Sequence, residues 1–183
     1  MALTRKQRKL VAEIREISTI TDMDHWNIDN YEAPFRTLFL EIMKNKIVRS
    51  DVVLKYAVID ELLSVLICHE YFPKPRRGET FRRLWKKKPF RIFVHHILDE
   101  MYVLGKLRVV HATVPKDVRE NVERINALRN ALAHSLFPEN RRQYMEHGKV
   151  IYRGSDIFTK QGMENFINDF DLVHTYLGKR AGH

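Results

Sequence analysis

One cysteine in 183 residues, Cys68, excludes an internal disulfide framework and any cysteine-rich zinc site. It ends the apolar run Leu62–Ile67, where an inert core thiol is expected rather than a nucleophile. Only seven Gly and six Pro are present, which favours long helices over many turns. No apolar run reaches the length that spans a bilayer, and no cleavable signal is visible, so a cytoplasmic protein with no membrane partner is expected. The Walker phosphate loop and the G-x-S-x-G elbow are both missing, which removes the nucleotide-hydrolase and hydrolase classes they define. His69 and the pair His95-His96 have no carboxylate or histidine at matching ligand spacing, so neither a metal nor a cofactor is expected. Without repeats, low-complexity linkers or a composition shift, residues 1–183 read as a single domain.

What the chain does have is positive charge, 32 Lys and Arg against 23 Asp and Glu, a net +9. Such a balance favours a polyanion, with RNA or DNA ahead of an anionic membrane surface. The excess concentrates between Lys74 and Arg91, where nine cations face Glu79 alone. Arg82, Arg83, Lys86, Lys87 and Lys88 are the candidate substrate-binding residues. Phe81, Trp85 and Phe90 are interleaved with them, so the stretch could track a phosphate backbone and stack bases. The competing expectation is a solvated charged face.

Periodicity predicts an all-α chain, an up-and-down bundle of about five or six helices with a minor β-hairpin near the C-terminus. An amphipathic helix is expected from Leu3 to about Ser18, and a loop from Thr19 to Asn30 with Trp26 as a possible anchor. A second helix is expected over Tyr31–Lys46, with Pro34 in its first turn and Phe35, Leu38, Phe39 and Ile42 on its buried face. Ser50 is placed to cap a third helix, running to about Tyr71 and apolar nearly all round, hence central. A fourth is expected from Phe90 to about His111, with Ile92, Phe93, Ile97, Met101 and Leu104 inward. A hairpin is expected within residues 149–158, turning at Gly154-Ser155. Thr159 should cap a last helix with Met163, Phe166, Ile167, Phe170, Val173 and Leu177 as its face.

Between the fourth helix and the hairpin, Pro115 opens and Pro138 closes the stretch that carries the chemistry. At about 100° per residue, Val118, Val122, Ile125, Leu128, Leu132 and Leu136 share one buried arc. Arg129 points into the edge of that arc. Asn126, Asn130 and His134 form the neighbouring row, with Ala133 adding no bulk between them. A guanidinium, an amide and an imidazole are thus spread over about 140° of one helix surface. A cation at a core edge needs a partner or a task. Asp60 and Glu61 are candidate partners, Glu61 being favoured, and in that case Arg129 is merely structural.

Arg129-Asn130-x-x-x-His134 resembles the Arg-polar-x(3)-His signature, R-x(4)-H, of the HEPN superfamily. The motif occupies six residues, and the resemblance would extend over most of the chain as a helical domain with a late motif helix. It implies an all-helical, commonly dimeric protein and a metal-independent endoribonuclease, acting as a toxin or defence effector with a possible antitoxin or regulatory partner. Arg129, His134 and Asn130 would then be catalytic, with Asn126 and Glu61 in support. RNA carries its own nucleophile, the 2′-hydroxyl. A neutral imidazole can take that proton or protonate the leaving 5′-oxygen, and a guanidinium can hold two phosphate oxygens. A homodimer would supply the second imidazole. Toxins of this family that are controlled by nucleotidylation carry a Tyr two residues after the His; Leu136 stands there, which argues against that control. Two alternatives remain open. One is a catalytically silent HEPN-like dimer that binds RNA or nucleotide or scaffolds a partner. The other is a basic helical DNA-binding protein, against which no Gly-containing helix-turn-helix corner is visible.

Overall fold

A computed structural model describes Arg5 and residues 33–72, 81–133, 145–146 and 149–181. Two units divide the chain, Met1–Met43 and Lys44–His183. The first contributes the opening turns of one helix to the described residues. The second is a helical bundle with a small sheet, so the all-α class with a minor β element stands.

Among the described residues there are five α-helices: α1 Ala33–Tyr71, α2 Lys88–Phe93, α3 Val103–Val109, α4 Lys116–Ala133 and α5 Lys160–Ala181. A 3-10 segment, Phe81–Lys86, leads into α2, and a π-helical turn, Val94–Leu98, follows it. The helix expected from Leu3 and the Trp26 loop lie outside the described residues, apart from Arg5. The second and third expected helices are one, the 39-residue α1. Nothing between Lys44 and Ser50 breaks a helix, and Ser50 does not cap one. Its hydroxyl donates back to the Lys46 carbonyl at 2.7 Å, the bond a mid-helix serine makes. Nor is α1 covered all round. Val52, Ile59, Leu63, Leu66 and Ile67 are buried, whereas Val53, Leu54 and Val58 on the other side are exposed. Ile42 is exposed as well, contrary to expectation.

The expected fourth helix is divided. Ile92 stands two residues after the buried Phe90, about 200° round α2, and is exposed; the π turn then holds five residues where an α turn holds fewer, which carries the inward face past Ile97 and leaves it exposed as well. Phe90 and Leu98 take the buried positions instead. The chain then leaves helical geometry at Tyr102, which is extended, before α3 begins.

Along α4 the expected stripe holds: Val118, Val122, Ile125, Leu128 and Leu132 are all buried. Each such side chain contributes about 1.5–3 kcal/mol of transfer free energy. This face packs along α5 and α3. On α5, Phe166, Phe170, Val173 and Leu177 are buried as the spacing predicts, with Met163 and Ile167 partly so. Thr159 caps α5, its Oγ accepting from the Gly162 amide at 3.2 Å. A Cβ on Gly162 would meet the Asp156 carbonyl oxygen at 2.1 Å, so only glycine lets the sheet approach this turn.

Three short antiparallel strands form the sheet in the order β1 Met145–Glu146, β2 Lys149–Tyr152, β3 Ser155–Asp156. Tyr152 pairs with Ser155, so the hairpin turns at Arg153-Gly154, one residue earlier than expected. Both turn residues have positive φ, 46° and 76°, as a type I′ turn requires.

Candidate functional site

The described part of α4 ends at Ala133. Arg129, Asn130 and Asn126 can therefore be placed, while His134 and Leu136 lie outside the described residues. Arg129 and Asn130 are both half-buried at the edge of the stripe. The guanidinium carbon of Arg129 sits 5.1 Å from the centre of the Tyr56 ring, within range of a cation–π contact. Arg129 Nη1 donates to Asn130 Oδ1 at 3.1 Å. The Tyr56 hydroxyl donates to Asn126 Oδ1 at 2.8 Å. Tyr56 on α1 thus ties together both amide positions of the row, one through its hydroxyl and one through the arginine on its face.

Burial raises the Tyr56 hydroxyl above its ordinary pKa, opposed by the positive charge of Arg129 and reinforced by the negative charge of Asp60. It remains a donor through the neutral range. The Arg129 Nε is buried and makes no hydrogen bond among the described residues. No carboxylate among the described residues forms an ion pair with Arg129. The expected Glu61 partner is a correction: Glu61 is exposed on α1 and lines a separate cavity with Cys68 and Trp85. Tyr56 and Glu61 differ by five residues, about 140° around the helix, so they cannot both face α4. Asp60, the other candidate, is engaged by the buried Lys106 at 2.7 Å.

The basic stretch divides similarly. Lys86, Lys87 and Lys88 are exposed at the junction of the 3-10 segment and α2. Arg91 is exposed and its Nη1 donates to the Trp85 carbonyl at 3.2 Å. The side chains of Arg82, Arg83 and Phe81 lie outside the described ones, as do residues 73–80. Of the expected stacking aromatics, Trp85 is 39% exposed and can meet a base. Phe90 cannot: it is 3% exposed and packs edge-on against Phe72 and Trp85.

A second polar centre escaped the sequence reading. Asp169 of α5, 5% exposed, accepts three bonds on one oxygen: from Tyr152 at 2.7 Å, Arg153 Nε at 2.7 Å and Arg124 Nη1 at 3.0 Å. Asn121 Oδ1 accepts from Arg124 at 2.5 Å and from Arg153 at 3.1 Å. Burial, and then its bond to Asp169, drive the Tyr152 hydroxyl far above its ordinary pKa, so it stays a donor. Two guanidiniums against one carboxylate leave this centre net positive. A signal was available: Asp169 stands three residues after Phe166 and four before Val173, inside the buried stripe of α5, where a carboxylate needs cations. Lys106 likewise lies three after Val103 and four before Val110.

No group of three His, Cys, Asp or Glu that could hold a metal ion occurs among the described residues. No helix among them is long and apolar enough to cross a membrane. Compared with family models, with curated proteins and with solved structures, the chain matches none of them. The class of the site therefore rests on its own residues.

Proposed function

We propose that the chain is a metal-independent endoribonuclease of HEPN type. The observation that carries this is Arg129, a half-buried guanidinium held by the Tyr56 ring and the Asn130 amide with no described carboxylate neutralising it. A cation kept at a core edge with no counter-ion among the described residues is ready for an external anion, and a phosphodiester is one. His134 follows five positions later in the sequence and supplies the acid–base group. In the reaction the imidazole removes the proton from the 2′-hydroxyl. The 2′-oxygen then attacks phosphorus, and the 5′-oxygen leaves with a proton from a second imidazole. The bidentate guanidinium offsets the charge that builds on the phosphoryl oxygens. A homodimer with adjacent motif helices brings in the second imidazole, and the exposed Lys86–Lys88 run with Arg82 and Arg83 guides the RNA backbone. Action as a toxin or defence effector, and control by an antitoxin or other protein, belong to the same proposal.

The catalytically silent dimer has one observation in its favour: one face of Arg129 is stacked on Tyr56 and its Nη1 is bonded to Asn130, which a purely structural arginine would also show. Incubation of the purified protein with RNA and with DNA of the same sequence, both in excess chelator, separates the two. Cleavage of RNA alone, leaving 2′,3′-cyclic phosphate ends, supports the enzyme. Binding without cleavage across a broad RNA panel supports the silent module.

A further inference from the structure

A cavity of about 140 Å³ lies away from Arg129, between α1 and the segment Trp85–Asp99. Its α1 wall is Glu61, Ser64, Val65 and Cys68, one stripe of the helix. Trp85, Phe90, Val94, Leu98 and Asp99 close it from the other side. In a chain of net charge +9, no Lys or Arg lines this space among the described residues, and the two charged groups that do are both carboxylates. Both act on the same sulfur: burial first, then the charges of Glu61 and Asp99, push the Cys68 thiol up to about 11. Glu61 on α1 and Asp99 on the facing segment both line the cavity. Among the described residues, the exposed Glu61 has no ion pair and Asp99 pairs only with the exposed His95, at 3.2 Å. Trp85 is partly exposed and is held edge-on by Phe90 at 5.4 Å between ring centres, so its orientation is fixed.

We propose that this cavity binds a small organic cation, an alkylguanidinium or alkylammonium. Its charged head pairs with Glu61 and Asp99 beside the Trp85 ring, and its short alkyl stem lies against Val65, Val94 and Leu98. Two carboxylates fix the sign of the ligand, and N–H donors answer their oxygens. The indole favours a cation at its face. The space is of a size to take a guanidinium head and a short stem. Ser64 Oγ already donates to the Asp60 carbonyl at 3.0 Å, so its lone pairs remain for a donor on the ligand.

Cys68 is the chain's single cysteine and forms part of the wall, so its alkylation reports occupancy. The full chain is treated with iodoacetamide at mildly alkaline pH, alone or with butylguanidinium, neutral butylurea or N-acetyl-arginine methylamide. Butylguanidinium should slow labelling in a saturable way, and butylurea should not. In the double variant Glu61→Gln/Asp99→Asn the concentration giving half-protection should rise by about tenfold or more. Glu61→Gln alone, at an exposed position, should show part of that rise, with circular dichroism confirming the fold of both. Protection by the capped arginine as well would assign the site to a protein side chain. Protection by the free cation only would assign it to a small metabolite. Equal protection by butylurea, no protection by either cation, or an unchanged half-protection concentration in the folded variants would overturn the proposal.

Discussion

The guanidinium of Arg129 lies over the ring of Tyr56, 5.1 Å from its centre, and the hydroxyl of that same ring is bonded to Asn126. One residue of α1 therefore sets the position of the motif arginine by its face and of a motif-row amide by its edge. The two roles separate by substitution. Tyr56→Phe keeps the face and should cost about 1 kcal/mol, the worth of one hydrogen bond, in chemical denaturation. RNA cleavage should be nearly unchanged. Tyr56→Leu removes the face, and cleavage should fall by roughly tenfold to a hundredfold as the guanidinium loses its placement. Equal activity in the two variants would mean that the ring does not position Arg129.

Lys86, Lys87 and Lys88 are exposed, as a phosphate-tracking run requires. Changing them together with Arg82 and Arg83 to Gln should weaken RNA binding. Each lost phosphate contact should lower the slope of log affinity against log salt by about 0.7. An unchanged slope would leave the run as a solvated face.

Asp169 holds Arg124, Arg153 and Tyr152 on a single buried oxygen. Asp169→Asn should destabilise the fold by roughly 3 kcal/mol, the low end for a broken buried ion pair because both arginines are substantially exposed. The loss should appear as a lower denaturant midpoint. Arg153 has φ 46°, a left-handed conformation that disfavours a side chain, and the ion pair is what holds it there. A midpoint within error of the wild type would show that the network contributes no stability.

Burial, reinforced by the charges of Glu61 and Asp99, pushes the Cys68 thiol from an ordinary 9.0 up to about 11. The sign follows from proton binding: between these values the folded state holds the proton more tightly, so folding is favoured below pH 9.0 and loses that contribution as pH rises to about 11. Stability of the wild type should therefore fall more steeply across that window than that of Cys68→Ala. Parallel curves would contradict it.

Much of the fold was legible because it rests on periodicity. The α4 stripe from Val118 to Leu132 and the Thr159 cap follow from spacing and side-chain chemistry alone. Where the sequence misled, the cause was local. Ser50 has the chemistry of a cap, but with no Gly or Pro near it to interrupt the helix its hydroxyl bonds backwards instead. Ile97 fits α periodicity, but the π turn at Val94–Leu98 changes the angle per residue, and no residue type announces it. Arg129 could be singled out at the edge of the stripe. Its platform could not: Tyr56 is 73 positions away, and which α1 residue faces α4 depends on helix packing. The Glu61 expectation failed for that reason, since a rotation of about 140° separates the two α1 positions.

The central claim is tested most directly by one chelated assay of RNA cleavage, wild type beside His134→Ala, with circular dichroism and RNA binding measured on both. The wild type should cleave RNA to 2′,3′-cyclic phosphate ends. His134→Ala, folded and still binding RNA, should lose on the order of 10²–10⁴ in rate, the contribution of a positioned acid or base. Arg129→Lys in the same assay should be impaired as well, because an ammonium cannot form the bidentate fork. Equal cleavage by wild type and His134→Ala, or no cleavage by the wild type across a broad RNA panel, would contradict the account.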